Sequence, residues 1–399
     1  MIARLSFLVA VFIISFSSEG QKARKLHFKS TLVDTHNDVL TTIITDSVIL
    51  DTDLSGKTHS DLERFKKGGV DVQIFSIWCD GKVPEPFKSA NREIDSLYAI
   101  ALRNWEKMEI AFTPKDIKRI IRQDKFVAMM GVEGGHMIED DLSKLDSLYK
   151  RGVRYMTLTW NNSTSWATSA MYETSTKTLV KEGALDSARK KGLTDFGKQV
   201  VKRMNELGMM VDISHVGEQT FWDAINITTK PVIASHSCAY VLCPVFRNLK
   251  DDQLMAVKDI NGVVCLNFFS GFVDSNFFKR NNAFNELHKT ERDSILKTVT
   301  DPYFADTYLF AKYADEVKAL RPPLSLLIDH IDYMVKLIGV DHVGMGSDFD
   351  GINSAPQSLE GVQDFPKITE ELLKRGYRKK DIKKILGENV LRVFKANQN

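Results

Sequence analysis

The 399-residue sequence has few cysteines and prolines, and neither sign of charge is in marked excess. Its four cysteines are too few for a disulfide scaffold and too widely spaced for a CxxC zinc knuckle. Lysine and arginine (54) nearly balance aspartate and glutamate (52) and are scattered, so a nucleic-acid-binding patch is not indicated. The sequence also contains no low-complexity tract and no internal repeat. With 43% hydrophobic residues, the chain has enough apolar material for a large buried core.

The amino terminus has the order of a secretory signal. A short basic start, Met1–Arg4, precedes the apolar run Leu5–Phe16, and a small-x-small pattern ends at Gly20. The apolar run is shorter than the roughly 20 residues that span a bilayer, so we expect no membrane span in the mature chain. We therefore expect residues 1–20 to be a cleaved signal peptide and residues 21–399 to form a single domain. The mature protein would then be periplasmic or secreted.

Export would permit disulfide bonds. Two interpretations of the cysteines stay open: one or two bridges of unknown pairing, or buried thiols near strand ends. The residues concerned are Cys79, Cys238, Cys243 and Cys265.

Short β-branched runs alternate with longer amphipathic segments along the chain. This alternation predicts βαβ units and a parallel sheet, and eight strands favour closure into a barrel. A Rossmann fold is not favoured, because no GxGxxG follows the first strand. We therefore expect an α/β protein with a (β/α)8 TIM-type barrel. The candidate strands are Thr31–Val39, Val70–Trp78, Phe126–Val132, Val153–Thr159, Met209–Ser214, Val232–Ser235, Val263–Phe268 and His342–Ser347.

One long segment, Ser270–Pro323, interrupts the alternation after the seventh strand, with helix expected at Ala283–Thr298. In a barrel, such an insertion between a strand and its helix lies on the catalytic face. A lid or substrate wall and a surface excursion without a role are equally compatible with its composition. Two closing helices, Thr369–Arg375 and Asp381–Lys395, are expected near the carboxyl terminus.

Residues that suit a metal ion fall at the carboxyl ends of the predicted strands, where this fold builds its active sites. Each alone is weak evidence, but only nine histidines are present and three of them lie at this rim. Imidazole nitrogens and carboxylate oxygens are good zinc ligands. In the HxD of the first strand, the period of two sends both side chains to one face. The residues are His36, Asp38, Glu133, His215, His236 and Asp348.

The other histidines offer a comparison. His27, His59 and His288 lie outside the strand ends and are expected at the surface or in loops. His136 follows Glu133 closely, and we expect it to support the site or to be structural.

Several segments together resemble the membrane (renal) dipeptidase family, a branch of the metal-dependent amidohydrolase superfamily. They are VDTHNDV, GVEGG, GVRYMTLTWNNSTSWA, GLTDFG, NELGMMVDISHVG, PVIASHS, FRNLKDD, GSDFDG and GENVLRVF. The resemblance covers nearly the whole mature chain.

This resemblance implies two zinc ions (Zn2+) per chain. His36 and Asp38 would hold one ion, His215 and His236 would hold the other, and Glu133 would bridge them. Two such ions can acidify a shared water and polarise the scissile carbonyl.

The resemblance also implies roles for two further residues. Asp348 would act as the general base. Arg247 would clamp the substrate's carboxylate through two hydrogen bonds, as a guanidinium can. The alternative for Arg247 is a surface ion pair with Asp251 or Asp252.

One position departs from the family pattern. After the fourth strand the family commonly has a histidine that donates a hydrogen bond to the oxyanion, whereas this chain has Trp160 followed by Asn161 and Asn162. Indole and amide N–H groups are donors, so Trp160 or Asn161 would contact the substrate in its place. We also expect Trp160 to narrow the pocket and shift the preference among dipeptides.

The resemblance thus implies a zinc dipeptidase that hydrolyses small dipeptides, including those with a C-terminal D-residue, and that forms a homodimer. An alternative is another binuclear amidohydrolase, acting on an N-acyl amino acid, a cyclic amide or a lactone. A non-catalytic binding protein is disfavoured because all six rim residues are present.

Overall fold

A ring of parallel strands forms the centre of the computed structural model, which describes residues 20–174, 192–299 and 302–398. The strands are β1 (Val33–Asp34), β2 (Val72–Trp78), β3 (Met108–Ile110), β4 (Phe126–Glu133), β5 (Val153–Thr157), β6 (Met210–Asp212), β7 (Ile233–Ala234), β8 (Val263–Leu266) and β9 (Val343–Met345).

Eight of these strands close into a barrel. Strand β1 pairs with both β2 and β9, β2 pairs with β4, and the remaining strands follow in chain order from β4 to β9. Every pairing in the ring is parallel. The predicted (β/α)8 barrel and its eight strands are therefore confirmed. The sequence prediction missed β3, a short strand that pairs with the start of β4 outside the ring.

Helices lie between the strands and surround the barrel. The longer ones are amphipathic, and several begin with a residue that caps the free N–H groups, such as Thr113 with Asp116. The helices are 20–27, Val39–Thr45, Leu62–Gly68, Pro86–Arg103, Pro114–Arg122, Leu142–Lys150, Ala170–Thr174, Asp195–Leu207, Glu218–Ile227, Asp251–Asp259, Ser270–Val273, Phe277–Leu287, Lys289–Ile295, Pro302–Lys312, Ala314–Leu320, Leu324–Ile338, Phe365–Lys374, Lys379–Lys383 and Asn389–Asn397. Single turns of 3₁₀ helix are present at Gly135–Ile138, Val340–His342 and Val362–Asp364, and a π-helical turn at Lys384–Glu388.

Two clusters of buried apolar side chains form the core, one inside the barrel and one between the barrel and the surrounding helices. The inner cluster contains alternate residues of the strands, such as Val72, Ile74, Val127 and Met129, as the period of two requires. It continues onto the helices Pro114–Arg122 and Asn389–Asn397, which cover the amino end of the barrel. A larger cluster packs the outward-facing side chains against the surrounding helices. The amino end is therefore closed by apolar packing, and the carboxyl end is left for polar side chains. The expected closing helices near the carboxyl terminus are confirmed.

The long insertion after the seventh barrel strand is also confirmed, and it is helical. Its described residues form five helices between Ser270 and Leu320. The helix expected at Ala283–Thr298 is two helices in the structure, Phe277–Leu287 and Lys289–Ile295. A small apolar core of its own holds it together, made of Phe277, Phe284, Leu309, Phe310 and Val317. The insertion contacts the loop that follows β9, because the Tyr303 hydroxyl donates to the carbonyl oxygen of Gly351 at 2.7 Å. It therefore borders the carboxyl end of the barrel.

Several other expectations can be compared with the structure. All four cysteines are free and buried, so they are thiols rather than bridges. Every helix in the described ranges is too short or too polar to cross a bilayer. His27 was expected at the surface or in a loop, but it ends the helix 20–27 and is fully buried between Thr369 and the Gly68 carbonyl. Apart from Gly20, the signal peptide proposed at residues 1–20 lies outside the described residues.

Candidate active site

Five of the side chains predicted as metal ligands meet at the carboxyl end of the barrel. Glu133, the last residue of β4, lies at the centre. Its Oε1 is 2.9 Å from His215 Nε2 and 3.5 Å from His236 Nε2, and its Oε2 is 3.3 Å from His36 Nε2. The same His36 nitrogen is 3.5 Å from Asp38 Oδ2. The carboxylate of Glu133 therefore contacts histidine nitrogens through both of its oxygens.

Each of the three histidines has its other ring nitrogen committed to an acceptor. The Tyr155 hydroxyl donates to the Thr35 carbonyl, so it accepts from His36 Nδ1 at 2.8 Å. The Ser235 hydroxyl donates to the Asp212 carboxylate, so it accepts from His236 Nδ1 at 2.7 Å.

The third of these bonds comes from His215, whose Nδ1 donates to Asn161 Oδ1 at 3.1 Å. With the hydrogen on Nδ1, all three Nε2 lone pairs are free for a metal ion, the arrangement typical of metal-binding histidines.

Asp348 and Asp38 face each other on the other side of the centre, beside His36. A side chain at Gly351 is excluded because its Cβ would lie 2.2 Å from Asp38 Oδ2 and 2.6 Å from Asp348 Oδ1. Asp348 also accepts a hydrogen bond from the Asn267 amide at 2.7 Å. The predicted general base is thus held in place by an amide and a close backbone.

Two buried aspartates that the sequence prediction did not include hold the strand ends together. Asp34, the last residue of β1, accepts from the main-chain N–H and the hydroxyl of Ser347, beyond the end of β9. Asp212, the last residue of β6, accepts from the N–H groups of Ser214 and Ser235. Both strands end in Val-Asp shortly before a histidine of the candidate site, and this pattern could have identified the two aspartates.

Burial and neighbouring charges set the protonation of the site. Burial favours the neutral form of His36, but the carboxylates of Glu133 and Asp38 overcome it and raise its pKa to about 10. Burial and the Arg247 charge lower the pKa of His215 to about 4. Burial opposes ionisation of Glu133, yet the positive charge of His36, the largest opposing effect, holds the pKa of Glu133 well below the ordinary value. Glu133 is therefore ionised and His215 neutral, the states in which these groups bind a cation, whereas a cation has to displace a proton from His36.

Arg247 is buried beside these residues, so the alternative of a surface ion pair with Asp251 or Asp252 is not what the structure shows. Its Nη2 donates to the carbonyl oxygen of His236 at 3.2 Å, and its Cζ lies 5.4 Å from the ring centre of Phe272. The Nε of Arg247 has no hydrogen-bond partner in the part of the chain that the structure describes. A buried guanidinium with an uncommitted N–H next to His236 can receive an anion.

The family model for membrane dipeptidases, peptidase family M19, matches residues 20–399. The chain is a member of the membrane dipeptidase family. It is therefore a metallo-dipeptidase that hydrolyses the peptide bond of a dipeptide.

Solved structures agree with this family in fold. The probable dipeptidase PvdM from Pseudomonas aeruginosa is 26% identical, with a TM-score of 0.76, and the match covers 96% of this chain and 99% of that one. A metallopeptidase from Rhodobacter sphaeroides, liganded with a phosphinate mimic of the dipeptide L-Ala-D-Ala, is 22% identical with a TM-score of 0.73. That match covers 92% of this chain and 99% of the other.

The donor set of this dipeptidase fits the metal ions that the family implies. His215 Nε2 and His236 Nε2 lie 2.9 Å apart, and each carries a lone pair because the hydrogen of its ring is on Nδ1. Two lone pairs and the Glu133 carboxylate in contact repel one another unless a cation lies among them. Imidazole nitrogen and carboxylate oxygen are the donors that zinc takes in hydrolytic sites.

Trp160, where the resemblance led us to expect a histidine, lies at the edge of the same site. The ring of Trp160 packs edge-to-face against Trp78, with centroids 5.1 Å apart, and Trp78 pairs in register with Glu133. Asn161 contacts His215 through its amide oxygen. His136 follows Glu133 closely, and its Nε2 donates to the Cys79 carbonyl at 3.1 Å.

Proposed function

We propose that this dipeptidase uses two zinc ions bridged by Glu133 and that it accepts dipeptides with a C-terminal D-residue. The observation that carries the proposal is the convergence of three histidine Nε2 atoms on one carboxylate, each with its Nδ1 bonded elsewhere. His36 and Asp38 would hold one ion, and His215 and His236 would hold the other. When bound, the ions lower the pKa of a water molecule and polarise the scissile carbonyl.

The protein's own groups then handle the proton and the substrate. Asp348 takes the proton of the attacking water and delivers it to the amine that leaves. Burial, together with the charge of Glu133, raises the pKa of Asp348 to about 6 against the opposing effect of His36. Nearby divalent cations would act in the opposite direction and favour the carboxylate. Asp348 would therefore begin the reaction ionised near neutral pH.

Arg247 would hold the substrate's free carboxylate, since it is a buried cation beside His236 with an N–H group to spare. A clamp on the carboxylate of the C-terminal residue fixes the main chain of the dipeptide and does not restrict the chirality at that residue. This supports acceptance of D-residues at that position. The Trp78 and Trp160 pair would form the wall on the other side of the peptide bond.

The test is hydrolysis of a panel of dipeptides in which the C-terminal residue is L or D. Purified protein is assayed as isolated, after removal of metal by a chelator, and after addition of zinc. We expect zinc-dependent cleavage, with a loss of about 100-fold or more in kcat for Asp348→Ala at unchanged zinc content. Cleavage of L,L-dipeptides alone would contradict the D-residue proposal. Full activity with one ion per chain would contradict the bridged pair.

Export and assembly complete the proposal. Residues 1–20 would be removed as a signal peptide, which mass spectrometry of the protein expressed with its leader tests directly. A mature amino terminus at Gln21 is expected, and an intact Met1 in the exported protein would contradict it. The mature chain would form a homodimer, which light scattering can distinguish from a monomer, since the 399-residue chain has a mass of 45.2 kDa and the mature chain is lighter.

A further inference from the structure

Asn161 occupies a position behind a metal ligand. Its Oδ1 lies 3.1 Å from His215 Nδ1, on the side of the ring away from Glu133. An amide oxygen accepts hydrogen bonds and cannot donate them, so it favours the His215 tautomer with hydrogen on Nδ1 and a lone pair on Nε2. The Tyr155 hydroxyl favours the same tautomer for His36, and the Ser235 hydroxyl favours it for His236.

The loop that carries Asn161 also holds the main chain of His215. The His215 carbonyl oxygen accepts from the Ala170 N–H at 2.8 Å and from the Thr159 hydroxyl at 3.2 Å. His215 has a φ of 63°, in the left-handed region that costs a residue with a side chain about 1 kcal/mol or more. The loop after β5 therefore fixes both the backbone and the ring of this ligand.

The main chain of Asn161 is held by its own loop. The main-chain carbonyl oxygen of Asn161 accepts from the Ser169 hydroxyl at 2.8 Å, and the Ser169 N–H donates to Ser163 Oγ at 3.0 Å. Ser169 also forms a β-bridge with Val216, the neighbour of His215. These contacts connect the main chain of Asn161 to the main chain next to His215.

The three ligand histidines are not held equally firmly. His236 is backed by a hydroxyl that itself binds the Asp212 carboxylate, and it is 1% exposed. His215 is backed by a neutral amide and is 8% exposed, at the edge of the site. Loss of the hydrogen-bond acceptor behind the ring should therefore disturb His215 more than the other two histidines.

We propose that Asn161 is a positioning residue for His215 and tunes the affinity for one of the two ions. This inference rests on the proposed two-ion centre. In this arrangement the amide oxygen of Asn161 accepts from His215 and is not free to turn toward a substrate. Loss of such a partner behind a metal ligand typically weakens binding about 10- to 100-fold.

The experiment is a Co2+ and Zn2+ titration of chelator-stripped protein, followed by visible absorption and by competition with a chromophoric chelator. Asn161→Ala is expected to keep one tight ion and to bind the second about 10- to 100-fold more weakly. Asn161→Asp keeps an acceptor at the same place and is expected to restore the second ion. Asn162→Ala is the matched control, because that side chain packs over Gly81 and not against His215.

The outcomes separate this inference from the proposed function. If wild-type protein binds two ions and Asn161→Ala binds both with unchanged affinity, the positioning role is wrong while the metal centre stands. Equal weakening of both ions, or an Asn161→Asp variant as weak as Asn161→Ala, also overturns it. If the wild type binds fewer than two ions, the two-ion centre fails and the inference fails with it. Thermal unfolding of each variant shows whether it is folded.

Discussion

Glu93 is a buried acid outside the active site, and replacing it with glutamine should stabilise the protein in a pH-dependent way. It projects from the helix Pro86–Arg103 toward the end of β2 and is 5% exposed. Its Oε2 accepts from the Trp78 N–H at 2.6 Å and its Oε1 from the Thr41 hydroxyl at 3.2 Å. Burial nevertheless raises the pKa of Glu93 to about 8 from an ordinary value of 4.5, because the two hydrogen bonds do not replace the lost water.

The sign and size of the effect follow from this pKa. Below pH 4.5 the carboxyl group is protonated in both the folded and the unfolded chain, so it carries no penalty. Between pH 4.5 and about 8 the folded protein keeps a proton that the unfolded chain has released, so the free energy of unfolding falls as pH rises. Each pH unit costs about 1.4 kcal/mol, which gives at most about 5 kcal/mol at pH 8. Glutamine at this position does not ionise, and its amide oxygen can still accept the hydrogen bond from the Trp78 N–H.

The measurement is urea unfolding of chelator-stripped wild-type and Glu93→Gln proteins at pH 5, 6, 7 and 8. Metal is removed so that cations near Glu133 do not alter the charge that Glu93 experiences. The stability difference between the two proteins should grow with pH, because all other titrating groups are shared. Glu85→Gln, at the start of the same helix but 66% exposed, is the control and should give a difference that does not vary with pH. A constant difference for Glu93→Gln would refute the reasoning.

Two further predictions concern substrate recognition. Arg247→Lys should raise KM for dipeptides and lower kcat/KM about 10- to 100-fold, since an ammonium cannot form the two-point clamp. A dipeptide amide, which lacks the carboxylate, should be cleaved with similar kcat/KM by both proteins, and an equal loss on both substrates would show that Arg247 acts otherwise. Trp160→His should shift the preference across the dipeptide panel by restoring the common family donor and removing the ring that packs on Trp78. Similar turnover of the whole panel by both proteins would contradict that role.

The barrel could be predicted from the sequence because its signals are local. Each barrel strand is a short β-branched run, and the period of two already separates inner from outer residues in β2 and β4. The missed strand β3 has three residues, too few to show a period. His27 was misplaced because its burial depends on Gly68 and Thr369, which are distant in sequence.

The convergence of the ligands was also predictable, because the carboxyl ends of parallel strands meet at one rim. What the sequence could not provide was the second layer of contacts. Nothing near His36 in sequence identifies Tyr155 as its partner. The Tyr155 ring has room to reach His36 because residue 131 is glycine, since a Cβ there would lie 2.0 Å from the ring. Likewise, the position of Asn161 after the fourth predicted strand led us to expect a contact with the substrate, and nothing near it in sequence identifies another partner. Its partner, His215, is distant in sequence and is brought close by the fold.

The two buried aspartates explain how strained residues are kept at the metal centre. His215 and Asp348 both have positive φ, 63° and 62°, although neither is glycine. In each case the serine just before it donates its main-chain N–H to a buried carboxylate, Asp212 for one and Asp34 for the other. A charge-assisted hydrogen bond of about 1.5–3 kcal/mol exceeds the cost of a left-handed residue, so the turn is held. The chain thus turns sharply after β6 and β9, and this turn directs a ligand and the proposed base into the mouth of the barrel.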